Sequence, residues 1–172
     1  GIGLFLVEKG AAGATVAAYP TQDGARAGEL KLAKAAATLI TAEGWSVLEQ
    51  AVDIGIAAAC AEGVGAMDKM VAITVDYMNT RKQFGVTLAS FQALKHRAAN
   101  MFVEVELSRS IVLDALRAID EGRADLPQLA SVAKARVSDA IHLIGNEAVQ
   151  MFGGIGVTDE EEIGLFLKRA RV

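Results

Sequence analysis

From Thr41 onward the apolar residues take up a helical period. Leu48, Val52, Ile56, Ala59, Val64, Met67, Val71, Val75 and Met78 recur every three to five positions, which predicts one helix from about Ala42 to about Lys82. Forty residues of helix span roughly 60 Å at 1.5 Å per residue, too long for a small globule, so this helix is expected inside a bundle. Gly85 is read as its C-terminal stop, because glycine accepts the left-handed cap. A second helix is predicted from Ser90, a good N-cap residue, to about Glu121, with Phe91, Leu94, Ala98, Met101, Val105, Val112 and Leu116 on one side. A third opens at Asp125-Leu126-Pro127, carries Leu129, Val132, Val137, Ile141, Ile144, Ala148 and Phe152, and ends at Gly153-Gly154. Thr158 to Glu161 has a capping-box pattern and predicts the start of a fourth. Short connections between long amphipathic helices imply antiparallel neighbours.

Before Thr41 the pattern is different. Leu4 to Glu8 and Ala14 to Tyr19 are short apolar runs, Gln22-Asp23-Gly24 is a turn signal, and Leu30 to Ile40 reads as a further strand. Strands this few do not close a sandwich and are expected to be the tail of a larger sheet. The opening residues already read as a strand with no initiator methionine, so the chain is expected to be a fragment.

Composition narrows the classes. Of 172 residues, 52% are hydrophobic and only 5% aromatic, which favours close helix packing over aromatic clusters. The net charge of −4 and the lack of a basic block leave no electrostatic footprint for nucleic acid. The most apolar stretch, Val52 to Val75, is interrupted by Asp53, Glu62, Asp68 and Lys69, so no membrane span is expected. No signal peptide is visible. The lone cysteine, Cys60, reads as a small core residue and suits a reducing cytoplasm. His96 and His142 lie on different predicted helices without clustered partners, so no metal site is expected.

Two stretches carry possible chemistry. The first is Arg81-Lys82-Gln83-Phe84-Gly85, followed by Phe91-Gln92. A guanidinium offers a planar fork that matches a diphosphate, Phe84 suits packing on a flat ring, and Gln92 has both a donor and an acceptor for a polar ring edge. The plainer reading is that Arg81 and Lys82 complement a helix C-terminal dipole. The second stretch is Gln150-Met151-Phe152-Gly153-Gly154-Ile155-Gly156. Adjacent glycines let a backbone approach a ligand closely. The plainer reading here is a helix C-cap and turn. It is not the dinucleotide fingerprint, since it follows a helix and not a strand.

Taken together, in this order and spacing and in a bundle, the two stretches resemble the acyl-CoA dehydrogenase family, and the resemblance covers essentially the whole chain. It implies a mainly α chain. Residues 41–172 would be the C-terminal four-helix bundle, its last helix truncated, serving FAD binding and oligomerisation. Residues 1–40 would be a short β remnant of the middle domain. The resemblance implies FAD-dependent α,β-dehydrogenation of an acyl-CoA thioester, in fatty acid or steroid degradation. Electrons would pass to an electron-transfer flavoprotein, and identical or homologous subunits would assemble as a dimer of dimers. Arg81 would bind the FAD pyrophosphate, Gln83, Phe84 and Gln92 would contact the same cofactor, and Gln150 with Gly153 and Gly154 would grip the adenosine side of a flavin held mainly by a neighbouring subunit.

The catalytic base is not assigned. The family commonly places a glutamate just past the stretch matched by Lys168 to Arg171, where the chain ends. Some members place it early in the first bundle helix, at a position matched here by Gly55, which has no side chain. Asp53 matches an aspartate often found two residues earlier and is a candidate for substrate contact, whereas Ile56 replaces an expected arginine. Glu62, two turns beyond Gly55 on the same face, is either a buried base with a raised pKa or, as the plainer reading, a salt-bridged rim residue. Three alternatives stay open: a partner subunit that completes the FAD site of a hetero-oligomer, a bundle used only for assembly, and an oxidase variant.

Overall fold

The structure, a computed structural model, describes residues 1–171. The chain is mainly helical, with four helices and a few short strands. It divides into two compact units, residues 1–52 and residues 53–171.

In the first unit, β1 (Leu4–Leu6) pairs antiparallel with β4 (Thr38–Thr41), and β2 (Ala14–Pro20) pairs antiparallel with β3 (Arg26–Leu32). The β2–β3 register runs from Ala14 opposite Leu32 to Pro20 opposite Arg26. Its turn is the one expected: Thr21 N–H donates to the Ala25 carbonyl at 2.9 Å, and Gly24 has φ 83°. The expected strand from Leu30 to Ile40 is instead two strands, because Lys34 at φ 55° breaks the extended run between β3 and β4. Phe5, Leu6, Val16, Leu30, Leu32, Leu39 and Ile40 are exposed on these ribbons.

The helix α1 (Gly44–Thr80) has 37 residues, close to the expected span. In the second unit α2 (Gln92–Asp120) and α3 (Leu126–Phe152) pack side by side, joined by a turn at Gly122, which has φ 62°. Ion pairs Arg97–Glu147 and Glu104–Arg136 tie them in antiparallel register. The turn is braced by Arg123, whose guanidinium reaches Asp114 at 2.9 Å and Asp125 at 2.6 Å. Asp125 therefore serves Arg123 and makes no side-chain cap on α3, where proline occupies the first turn. On α1, Asp68 pairs with Arg109 of α2 at 3.1 Å. A short α4 (Ile163–Arg169) follows.

The core is methionine-rich: Met67, Met70, Met101, Val105, Ile144 and Ile163 are fully buried. Unbranched methionine fills irregular gaps between helices that carry many alanines. Two core polar groups are satisfied locally, since Thr74 Oγ1 donates to the Met70 carbonyl and Ser108 Oγ to the Glu104 carbonyl, each at 2.7 Å.

Several expected details differ. The buried face of α1 is Ala57, Cys60, Val64, Met67, Met70, Thr74 and Met78; Leu48, Val52, Ala59 and Val75 are exposed, as is Val132 on α3. Exposed apolar residues such as Trp45, Val47, Ile54 and Val75 also lie along α1, so apolar period alone does not single out its buried face. Ser90 does not cap α2; its hydroxyl donates to the Thr87 carbonyl at 2.7 Å, closing a 3-10 turn, Leu88–Ser90. Thr158 likewise bonds the Ile155 carbonyl at 2.7 Å, and α4 starts only at Ile163. Each hydroxyl donates to the carbonyl three residues before it and closes a turn ahead of the helix it was expected to open.

Candidate functional site

The first stretch sits where α1 ends. Arg81 N–H still donates to the Tyr77 carbonyl at 2.8 Å, completing the helical pattern, and the Arg81 carbonyl then accepts from Leu88 N–H at 2.9 Å. Between them lies a tight hairpin, β5 (Lys82–Gln83) against β6 (Val86–Thr87). Its two turn residues, Phe84 and Gly85, have φ of 57° and 82°. A two-residue hairpin of this type needs positive φ at both positions, which glycine gives freely. Gly85 is thus a hairpin residue and not the helix stop expected. Phenylalanine at such a φ costs on the order of 1–2 kcal/mol. Phe84 is also 91% exposed, and its ring meets the Phe91 ring edge-on at a centroid distance of 6.1 Å. A strained backbone that holds an apolar ring in water is unfavourable for the fold of this chain alone.

The second stretch sits where α3 ends. Gly153 has φ 69° and ψ −147°, a combination open essentially to glycine. Gly154 has no positive φ, and a Cβ built there meets nothing within 4 Å. Neither its conformation nor packing within this chain calls for glycine. Gly156 is the opposite case, since a Cβ there would lie 2.7 Å from Phe152 Cβ and 2.8 Å from the Val149 carbonyl oxygen.

The two stretches meet. Tyr77, Arg81 and Gln83 border the same cavity as Gln150, Gly153 and Gly154, with a volume of about 280 Å³. One chain alone brings Arg81 and the glycine turn to the same cavity. Among the described residues the Arg81 guanidinium has no hydrogen-bond or ion-pair partner. Whole small-ligand sites occupy roughly 300–1,000 Å³, so this cavity suits one portion of a large ligand.

The other named residues lie elsewhere. Phe84 and Gln92 do not line the cavity; Gln92 is exposed on the first turn of α2. Asp53 is half-buried, and Gly55 is exposed with open space at its missing Cβ. Ile56 packs partly against the core. Glu62 is corrected: its carboxylate is 58% exposed and accepts from Arg169 Nε at 2.8 Å, so it is a paired surface group and not a desolvated base. Cys60 is buried in the core, and burial pushes its thiol pKa up, which keeps it an unreactive thiol. His96 and His142 are exposed. Among the described residues no group of three or more His, Cys, Asp or Glu is placed to hold a metal, and no helix is long and apolar enough to cross a membrane. Tyr77 and Phe152 were not singled out from sequence. The signal was available for Tyr77, which stands four residues before Arg81 and so on the same helix face.

Residues 42–172 match the family model of the acyl-CoA dehydrogenase C-terminal domain. The acyl-CoA dehydrogenase IpdE2 of Mycobacterium tuberculosis is 38% identical over 110 residues, which is 64% of this chain and 33% of that protein. Butyryl-CoA dehydrogenase from Megasphaera elsdenii superposes with a TM-score of 0.92 at 27% identity, covering 99% of this chain and 46% of that one. A chain of the ChsE4-ChsE5 complex from Mycobacterium tuberculosis gives 0.88 at 25% identity, covering 98% and 46%. The chain belongs to the acyl-CoA dehydrogenase family, whose members are oxidoreductases with FAD as cofactor. It spans about a third of the length of the curated relative, 33%, and just under half of the solved ones, 46%.

Proposed function

We propose that this chain supplies the helical, FAD-binding and oligomerisation part of an enzyme that dehydrogenates an acyl-CoA thioester across its α and β carbons. The observation that carries this reading is the cavity shared by Arg81, Gln83, Gln150, Gly153 and Gly154.

The residues present fit the diphosphate portion of FAD. The Arg81 guanidinium, without a partner among the described residues, is able to donate two parallel bonds to phosphate oxygens. Gly154 leaves room for close approach to backbone, as a large anionic group requires. The Gln150 side chain adds a neutral amide donor, and Gln83, whose Nε2 donates to the Lys82 carbonyl at 2.8 Å, has a second amide N–H to offer. Phe84, held outward by its hairpin, is assigned to contact the same cofactor beyond the cavity, and Gln92 to do so from the first turn of α2. When bound, the flavin supplies the two-electron acceptor for the dehydrogenation. The cavity is too small for a whole dinucleotide, which supports a flavin shared with a neighbouring subunit, identical or homologous.

Residues 1–40 are assigned to a middle β-domain, whose remaining strands would cover Phe5, Val16, Leu30 and Leu39. An electron-transfer flavoprotein is the proposed electron acceptor. The base remains outside the residues assigned here, and Asp53 is retained as a substrate-side residue.

A second reading is favoured by Gly55. With no side chain at that position and open space around it, the chain would complete the FAD site while a homologous subunit supplies the base. The ChsE4-ChsE5 relative is a complex of two named proteins.

The test uses the whole protein, purified alone and with its neighbouring homologues. A flavin spectrum bleached by an acyl-CoA is the expected result, and bleaching only in the mixed sample selects the second reading. A colourless, FAD-free protein in every combination would leave only a bundle used for assembly. Reoxidation by oxygen faster than by an electron-transfer flavoprotein would point to an oxidase.

A further inference from the structure

The cofactor reading uses Arg81 and the glycine turn but not the contact that joins them. Tyr77 lays its ring on Phe152, with centroids 4.1 Å apart and planes 15° from parallel. The Tyr77 hydroxyl also donates to the Phe152 carbonyl at 3.4 Å. Tyr77 stands one turn before Arg81 on α1, and its own carbonyl accepts from Arg81 N–H at 2.8 Å. Phe152 is the last residue of α3 and is directly joined to Gly153. The stack therefore links the two helix ends that carry the cavity's functional groups.

Helix ends are the least restrained parts of a bundle, because their last carbonyls lack intrahelical partners. Arg81 has no side-chain partner among the described residues to hold it, and Gly153 and Gly154 have no side chains at all. Without a tie, the guanidinium and the glycine backbone would each sample several separations, and a rigid diphosphate would bind only the fraction in the right one. Phe152 is buried and Tyr77 half-buried, so the stack is sheltered from water where an aromatic pair holds best.

We infer that Tyr77 and Phe152 form a positioning clasp that sets the separation between Arg81 and the Gly153–Gly154 turn for the FAD diphosphate. This rests on the FAD reading of the cavity. Because both rings also border the cavity, a direct ligand contact by the Tyr77 hydroxyl has to be separated from positioning through the ring.

The experiment measures FAD affinity and thermal midpoint of the whole protein with Tyr77→Phe, Tyr77→Leu, Phe152→Leu and Arg81→Ala, and with Tyr77→Leu combined with Arg81→Ala. Tyr77→Phe keeps the stack and is expected to stay within about threefold of the unsubstituted affinity, whereas Tyr77→Leu and Phe152→Leu each weaken FAD roughly three- to tenfold. Positioning also requires non-additivity: in the Arg81→Ala background, Tyr77→Leu should weaken FAD no further, while its effect on the thermal midpoint persists. Phe152→Leu is read in the same way should Tyr77→Leu fail to fold. Equal loss with Tyr77→Phe and Tyr77→Leu, or full additivity with Arg81→Ala, overturns the clasp while leaving the FAD reading intact. Unchanged affinity in Arg81→Ala alone overturns the FAD reading itself.

Discussion

Arg81 and Gly154 border one cavity although they follow different helices, α1 and α3. An arginine with no side-chain partner among the described residues and a glycine that neither its backbone conformation nor packing in this chain requires are thus placed together.

The two adjacent glycines should respond differently to a methyl group. Gly154→Ala has open space and an ordinary φ, so unfolding free energy should stay within about 0.5 kcal/mol of the unsubstituted protein. Its FAD affinity should nevertheless fall about tenfold or more, because the new Cβ stands where the ligand approaches. Gly153→Ala forces a side chain onto φ 69° and should cost roughly 1–3 kcal/mol of stability as well. Denaturant titration of both variants, with FAD titration alongside, checks the contrast.

Phe84 offers a test in which stability and binding move apart. Phe84→Gly relieves the left-handed strain but adds chain entropy to the unfolded state, so stability should be unchanged or higher by up to about 1 kcal/mol. FAD binding should weaken if the exposed ring contacts the cofactor. A variant that is less stable yet binds FAD normally would mean that the ring serves the fold.

The helical packing was legible in the chain to the extent that each helix had a two-sided pattern. On α2 and α3 charged residues marked the outside, so Met101, Val105, Val137 and Ile144 were readable as core. On α1 alanines and glycines occur on every side, and the face carrying Leu48, Val52 and Val75 looked as apolar as the face carrying Met67 and Met70. Hydrophobic period alone does not separate a core face from an exposed apolar one. Ser90 and Thr158 instead close turns onto the carbonyl three residues back, a local alternative that the same residue types offer beside the cap. Of the candidate site, Arg81, Gln83, Gln150 and the glycine pair were legible as motifs, while the Tyr77–Phe152 stack required knowing that the ends of α1 and α3 are adjacent. Glu62 kept two readings open in the sequence because the partner that makes it a salt-bridged surface residue, Arg169, is distant along the chain.

Gly63 marks a close crossing of α1 with α3. A Cβ there would lie 2.8 Å from Val137 Cγ1, and a β-branched valine has little freedom to yield. Gly63→Leu should therefore cost at least about 2 kcal/mol, partly recovered by adding Val137→Ala. Gly65, exposed with nothing within 4 Å, should instead gain up to about 1 kcal/mol on substitution by alanine. Urea unfolding of the two single variants and the double variant gives the comparison.

At the α2–α3 turn, the hydrogen bond from Arg123 holds the Asp125 carboxyl below the usual carboxylate range. A depressed folded pKa means that the bond's contribution is present above the unfolded pKa and is lost as pH falls through the folded one. NMR titration of the Asp125 carboxyl should give a midpoint below that of an ordinary exposed aspartate, and Arg123→Ala should move it back up to the ordinary range.

The most direct measurement is the FAD dissociation constant of the whole protein with and without Arg81→Ala. Loss of a charge-assisted contact to phosphate, worth about 1.5–3 kcal/mol, should weaken FAD by roughly ten- to a hundredfold with the thermal midpoint of the FAD-free protein unchanged. An unaltered dissociation constant would contradict the account, since the cavity would then hold no part of the cofactor.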